Sequence, residues 1–160
     1  QQQANNDLKE RKIQKEAAIL TFNSYSKALY ELPGTLSINV SKTGFKFNVS
    51  IERSGSYGIG NMKIFCYDLM LAKLWANKTK TPVFLIHDSI IFADVDERQK
   101  AFALQLAESE SRKEGFQYIC TMNSDNVPRS DFDKDFYFDN FVVKKLTDAT
   151  EDGGLLGLRF

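Results

Sequence analysis

The stretch PVFLIHDSIIFADVDERQ, residues 82–99, runs four apolar side chains into His87 and Asp88, then gathers Asp94, Asp96 and Glu97 within one loop. A second polar cluster, TMNSD at 121–125, follows the apolar run FQYIC. Carboxylates where buried strands end are suited to holding Mg²⁺, a hard cation that takes oxygen ligands and neutralises phosphate charge. Asp88 is the candidate metal ligand on that ground; its plainer alternative role is to cap the turn that follows. An anion would need a matching cradle, and RSGSYGIGN at 53–61 has the form of one. Ser54, Gly55, Ser56, Gly58, Gly60 and Asn61 lie ahead of a helical run, whose free N–H groups and dipole favour negative charge. Glycines before a helix are common, so this loop gains weight only beside Asp88.

His87 is the sole histidine and follows an apolar run, which fits a hydrogen-bonded core imidazole better than a ligand. One histidine and two cysteines in unrelated segments lack zinc-ligand spacing. The clustered carboxylates leave another chemistry open, a Mg-dependent nuclease or phosphohydrolase built on His87, Asp88, Asp94 and Asp96.

These residues need elements to position them. Residues 7–31 contain no Gly or Pro, and Leu8, Ile13, Ala17, Leu20 and Ser24 are spaced for one helical face. Charge dominates the first half and apolar residues the second. That gradient suits either a helix leaving a coiled coil for a globular body or a simple surface helix. LPG at 32–34 ends it. TLSINV and FKFNVSIE around SKTG predict a hairpin, with Leu36, Ile38, Val40, Phe45, Phe47, Val49 and Ile51 turned to a buried face. Residues 61–76 predict a helix N-capped by Asn61. It should be mostly covered, because Met62, Phe65, Leu69, Met70, Leu71 and Trp75 surround it. VFLIH and FQYICT show no alternation and predict strands buried on both faces. The amphipathic helix between them, with Asp96 as N-cap and Gly115 as stop, implies a right-handed parallel crossover. DFDKDFYFDN predicts loop or short helix; FVVKKLT and GLLGLRF predict closing strands.

The totals bound the class. The chain's 160 residues suit one compact domain, and 42% hydrophobic content with 13 Phe and 6 Tyr predicts an aromatic-rich core. Lys+Arg and Asp+Glu balance at 21 each, so binding to nucleic acid or an anionic membrane would need a local basic patch. No run is long enough to span a bilayer and no signal-peptide pattern opens the chain. Cys66 and Cys120 are expected as core thiols in a reducing cytoplasm. The opening QQQANNDLKERKIQKEAA is no natural initiator and reads as a cut inside a longer chain. The expected organisation is 1–31 as the end of a coiled-coil arm or leading helix, and 32–160 as a globular lobe.

The order hairpin, Gly/Ser loop, apolar helix, VFLIHD, acidic loop, helix and FQYICT resembles the C-terminal lobe of the ABC-type ATPase head of SMC and RecN-like proteins. GIGNMKIFCYDL, FLIHDS, VDERQ, FQYICTMNSD and GGLLGLRF look more closely like a bacterial domain-of-unknown-function family at the C-terminus of SMC-like coiled-coil ATPases, some linked to DNA repair or phage defence. This likeness covers roughly residues 50–160. It implies an α/β fold: the C-terminal part of a P-loop NTPase, with a parallel sheet core flanked by helices and an added β-hairpin. It also implies ATP and Mg²⁺ as cofactors of the complete head. The implied partners are an N-terminal lobe of the same protein and a second head in a dimer, with DNA reached through the full protein.

Residue by residue, Asp88 matches the Walker B aspartate and Asp96 the D-loop aspartate. The signature loop falls on Ser54, Gly55 and Ser56 or on Gly58, Gly60 and Asn61. The sequence also departs from the pattern. Ser89 stands where the family's catalytic glutamate is expected, and serine is no base near neutral pH without help. Met122 or Asn123 stands where the switch histidine is expected. Glu97, Asn123 and His87 are the candidate substitutes. No GxxxxGK[ST] phosphate loop occurs, so this chain alone is expected to bind ATP weakly. A non-catalytic head kept for binding or assembly is the alternative these departures leave open.

Overall fold

The computed structural model describes residues 2–41, 44–51, 57–78 and 82–157, with side chains described from residue 10 onward except at 40–45. Helix α1 spans Gln2–Tyr30. It closes on Glu31 in the left-handed region (φ 64), whose N–H donates to the Lys27 carbonyl at 2.8 Å. Ala18, Phe22, Tyr25, Ser26 and Leu29 form its buried stripe. The face expected from sequence is the wrong one, since Ile13, Leu20 and Ser24 are exposed. Between residues 10 and 17 the helix is largely uncovered, so only its second half enters the body. The Ser26 hydroxyl donates to the Phe22 carbonyl and accepts the Gly34 N–H at 2.6 Å, which fastens the LPG turn to α1.

Strands β1 (Thr35–Ser41) and β2 (Gly44–Ser50) pair antiparallel, with Leu36 opposite Val49 and Ile38 opposite Phe47. The expected apolar face is buried at its base by Leu36 and Ile51, whereas Phe47 farther out is exposed. Val40 and Phe45 lie outside the described side chains.

Helix α2 (Tyr57–Ala76) begins four residues earlier than the sequence implies. It sends Met62, Phe65, Cys66, Leu69 and Met70 into the core. Its coverage is one-sided: Ile64, Leu71 and Trp75 are exposed. Strand β3 (Phe84–His87), helix α3 (Glu97–Glu114) and strand β4 (Gln117–Cys120) follow, and β3 pairs parallel to β4 with His87 beside Cys120. The parallel crossover is as expected. So are the caps of α3: Asp96 accepts the Arg98 N–H, and Gly115 ends the helix at φ 74.

Burial of the strands on both faces is not found. Leu85, His87, Tyr118 and Cys120 turn toward the helices, while Phe84 (64% exposed), Ile86 (55%) and Ile119 (37%) lie open on the other face. Nor does either closing segment form a strand among the described residues. Phe138–Phe141 is a 3-10 turn and the chain beyond it is irregular, with 158–160 outside the described residues. Among the described residues the fold is therefore mixed α/β: three α-helices around one aromatic core, an antiparallel hairpin and a two-stranded parallel pair. No helix among the described residues is long and apolar enough to cross a membrane.

A polar cluster joins the three helices. The Tyr25 hydroxyl donates to Glu110 at 2.5 Å, Lys73 donates to Glu110 at 2.7 Å and pairs with Glu114 at 3.2 Å, and Asn77 donates to Glu114 at 2.9 Å. Burial, and then the bond to Glu110, pushes the Tyr25 phenol far above its ordinary value, so it stays a donor.

Candidate functional site

Parallel pairing brings the C-termini of β3 and β4 to one edge, and the polar stretches HDS and TMNSD therefore emerge side by side. Asp88, the first residue past β3, caps the 3-10 turn Ser89–Phe92. Its carboxylate accepts the Ile90 N–H at 3.1 Å, the Ser89 hydroxyl at 3.4 Å and the Thr121 hydroxyl at 3.1 Å. The Ile90 amide first, then Thr121, hold its carboxyl below the usual carboxylate range. The capping role weighed from sequence is realised. It does not consume the group, because Asp88 remains an exposed, ionised carboxylate at the sheet rim.

The N-terminal turns of α2 reach the same place. Asn61 is not an N-cap; it lies inside the helix and donates to the carbonyls of Ile90 (3.2 Å) and Ala93 (3.0 Å). Ile90 thus has its N–H on Asp88 and its carbonyl on Asn61. Gly58 faces the same loop, where an added Cβ would overlap the carbonyl of Asp94. Asp94 itself adopts φ 56, a region that Asp enters more readily than most side chains. Gly60 has open space around it. Ser54, Gly55 and Ser56 lie outside the described residues.

The other candidates divide. Ser89 touches Asp88 as a donor. Asp96 is spent on the α3 cap, though exposed, and Glu97 is the exposed first residue of α3. Asn123 is exposed ahead of the short turn Ser124–Asn126. Neither Glu97 nor Asn123 is among the hydrogen-bond partners of Asp88. His87 is buried, as expected of a core imidazole: Nδ1 lies 3.1 Å from the Tyr118 hydroxyl and Nε2 3.3 Å from the Asp68 carboxylate. An Asp carboxylate only accepts, so Nε2 carries the proton toward it and Nδ1 faces Tyr118. Phe65 packs against the ring at 5.5 Å between centroids.

Thr121 was missed as a site residue, although its position directly after an apolar strand was the available signal. The tether from Asn61 had no local signal, because its partners lie 29 and 32 residues away.

Chemically, Asp88 can offer oxygen to one hard cation whose other ligands come from waters and phosphate, the usual protein share in Mg²⁺–nucleotide sites. Among the described residues no group of three or more His, Cys, Asp or Glu side chains is placed to hold a metal. Both cysteines are free; burial pushes the Cys120 thiol up to about 11 and the Cys66 thiol further, which leaves neither a thiolate nucleophile at neutral pH.

A search of curated proteins finds none that matches the chain. A family model described as "Uncharacterised protein conserved in bacteria (DUF2326)" matches residues 25–160, from the buried half of α1 to the last residue. The chain belongs to that bacterial family, DUF2326.

Proposed function

We propose that this chain is the C-terminal lobe of an SMC/RecN-like ABC-type ATPase head, completed by a nucleotide-holding lobe elsewhere in a longer polypeptide and by a second head. The observation that carries the reading is the parallel pair β3–β4. Parallel sheets are ordinarily covered on both faces and contain more than two strands, yet here Phe84, Ile86 and Ile119 lie open. Such a pair is what one end of a larger sheet looks like. The candidate carboxylate stands at its C-terminal edge, where open α/β sheets collect ligands.

In this reading Asp88 supplies one oxygen toward Mg²⁺, and Thr121 and the Ile90 amide hold that carboxylate ionised and aimed. The start of α2 is locked to the Asp88 turn through Asn61, so Gly58 and Gly60 in its first turns are held in fixed relation to that carboxylate. Nucleotide-driven pairing of two heads would then move the arm that begins in α1, whose uncovered first half suits a departing coiled coil. DNA repair or phage defence is the setting this class suggests, in the cytoplasm.

The test uses the polypeptide carrying both lobes. Asp88→Ala and Gly60→Arg are expected to abolish ATP-dependent dimerisation while leaving the thermal transition in place. Gly60 serves better than Gly58, because Gly58 is needed for packing against Asp94. Unchanged dimerisation in both variants would overturn the proposal. Ser89, held in a turn as a donor to Asp88, favours a second reading in which the head binds nucleotide but turns it over slowly or not at all. Single-turnover hydrolysis by the complete protein separates the two.

A further inference from the structure

A groove runs beside β3. Asp68, Leu71, Ala72 and Trp75 of α2 line one side of it and residues 83–85, at the start of β3, the other, around a volume of about 380 Å³. No described residue of α3 or β4 contributes to it. Leu85 turns toward the helices and Phe84 toward the open face. A groove that touches both therefore lies along the outer edge of β3, the edge away from β4, and not over either face.

The main chain of β3 is half used. The Val83 and His87 carbonyls accept the N–H groups of Gln117 and Thr121 at 2.9 and 3.1 Å. The direction of hydrogen bonding alternates along a strand. Val83, Leu85 and His87 thus bond toward β4, and the N–H and C=O groups of Phe84 and Ile86 point to the groove side, where no described strand pairs with them. A docked helix has no free backbone groups along its length to offer them, whereas an extended segment does. A helix is about 10–12 Å across and strands lie about 4.8 Å apart, so α2 is wide enough to shelter one strand beside β3. Leu71 and Trp75, exposed on α2, give that strand an apolar shelf. Asp68 at the inner end lies 3.3 Å from His87 Nε2, which donates to it, so the carboxylate in the lining already has a partner when the groove is filled.

We propose that an apolar strand of the nucleotide-holding lobe adds to the outer edge of β3 beneath Leu71 and Trp75, making β3 an interior strand. The inference rests on the reading above that such a lobe completes this chain. It adds the edge, the element that docks there and its chemistry: main-chain bonds to Phe84 and Ile86, with aliphatic or aromatic side chains at alternate positions against the shelf. The strand that presents Asp88 is then held from both sides.

The test is amide hydrogen exchange without nucleotide, on this chain alone and on the polypeptide carrying both lobes. In dilute chain alone the Leu85 and His87 amides are expected to be protected by β4 and those of Phe84 and Ile86 to exchange freely. In the longer polypeptide the Phe84 and Ile86 amides should slow at least about a hundredfold, as for amides moved from an open edge into a paired strand. Leu71→Ser with Trp75→Ser, both exposed in this chain, should reverse most of that slowing and leave Leu85 and His87 protected. Free exchange at Phe84 and Ile86 in both proteins would overturn the proposal, as would slowing that the double variant leaves intact. Protection in the chain alone that grows with concentration would also overturn it, by making a second copy the occupant. Slowing in a polypeptide that fails to dimerise with ATP would uphold the added strand and remove the ATPase reading, so the two fail separately.

Discussion

Two glycines in one helical turn have opposite jobs. Gly58 abuts the Asp94 carbonyl and has no room for a side chain, whereas Gly60 faces open space. Gly58→Ala is expected to cost about 1–3 kcal/mol, because backbone rather than a flexible side chain must give way. Gly60→Ala should stabilise by roughly 0.5–1 kcal/mol through helix propensity and lost unfolded-state freedom. Urea titration of the pair checks both signs. Asp88 adds a pH dependence. Its carboxyl is held down by the Ile90 amide and Thr121, so its contribution is fully present above the ordinary Asp value of about 3.9 and is lost as pH falls through the lower folded value. Asp88→Asn should therefore flatten stability against pH below about 4 and leave the profile near neutrality alone. A parallel profile for the two proteins would mean the carboxylate is not held as described.

At the scale of elements, the helices were legible where local rules operate and misread where the partner lies far away. The caps of α3 could be read directly, because Asp96 and Gly115 act within one turn. The start of α2 could not: Asn61 looks like a cap, but its amide is claimed by a loop 29 residues downstream. The buried stripe of α1 was missed because Phe22, Tyr25 and Ser26 are selected by tertiary partners, Tyr25 by Glu110 of α3 and Ser26 by the LPG turn. The Tyr25–Glu110–Lys73 cluster should matter to stability. Tyr25→Phe removes a buried hydrogen bond to a charged acceptor and is expected to cost roughly 1.5–3 kcal/mol in urea melts. Glu31 offers the converse. It ends α1 at φ 64 and is exposed, so Glu31→Gly should raise stability by a few tenths to about 1 kcal/mol.

For the whole molecule, the uninterrupted apolar character of VFLIH implied a strand covered on both sides, whereas the described residues cover only one. That mismatch is the source of the function proposed above, and it predicts behaviour of the chain by itself. Phe84 adjoins the exposed Trp75 and Leu71 of α2 across a shallow groove of about 380 Å³, and Ile86 and Ile119 are exposed on the same strand pair. An apolar face continuous with two strand edges that no described strand pairs invites association. The isolated chain should self-associate with rising concentration in sedimentation and bind a hydrophobic dye. Ile86→Lys should suppress both while changing stability by no more than about 0.5 kcal/mol, as expected for an exposed position. Were Ile86 part of a finished core, the same substitution would cost several times that through burial of an unpaired charge. If the proposed nucleotide-holding lobe covers this face, the ordering should reverse in a polypeptide that carries it, with Ile86→Lys strongly destabilising there. A small effect in both settings would leave the parallel pair as a free-standing surface and remove the support it gives to an incomplete head.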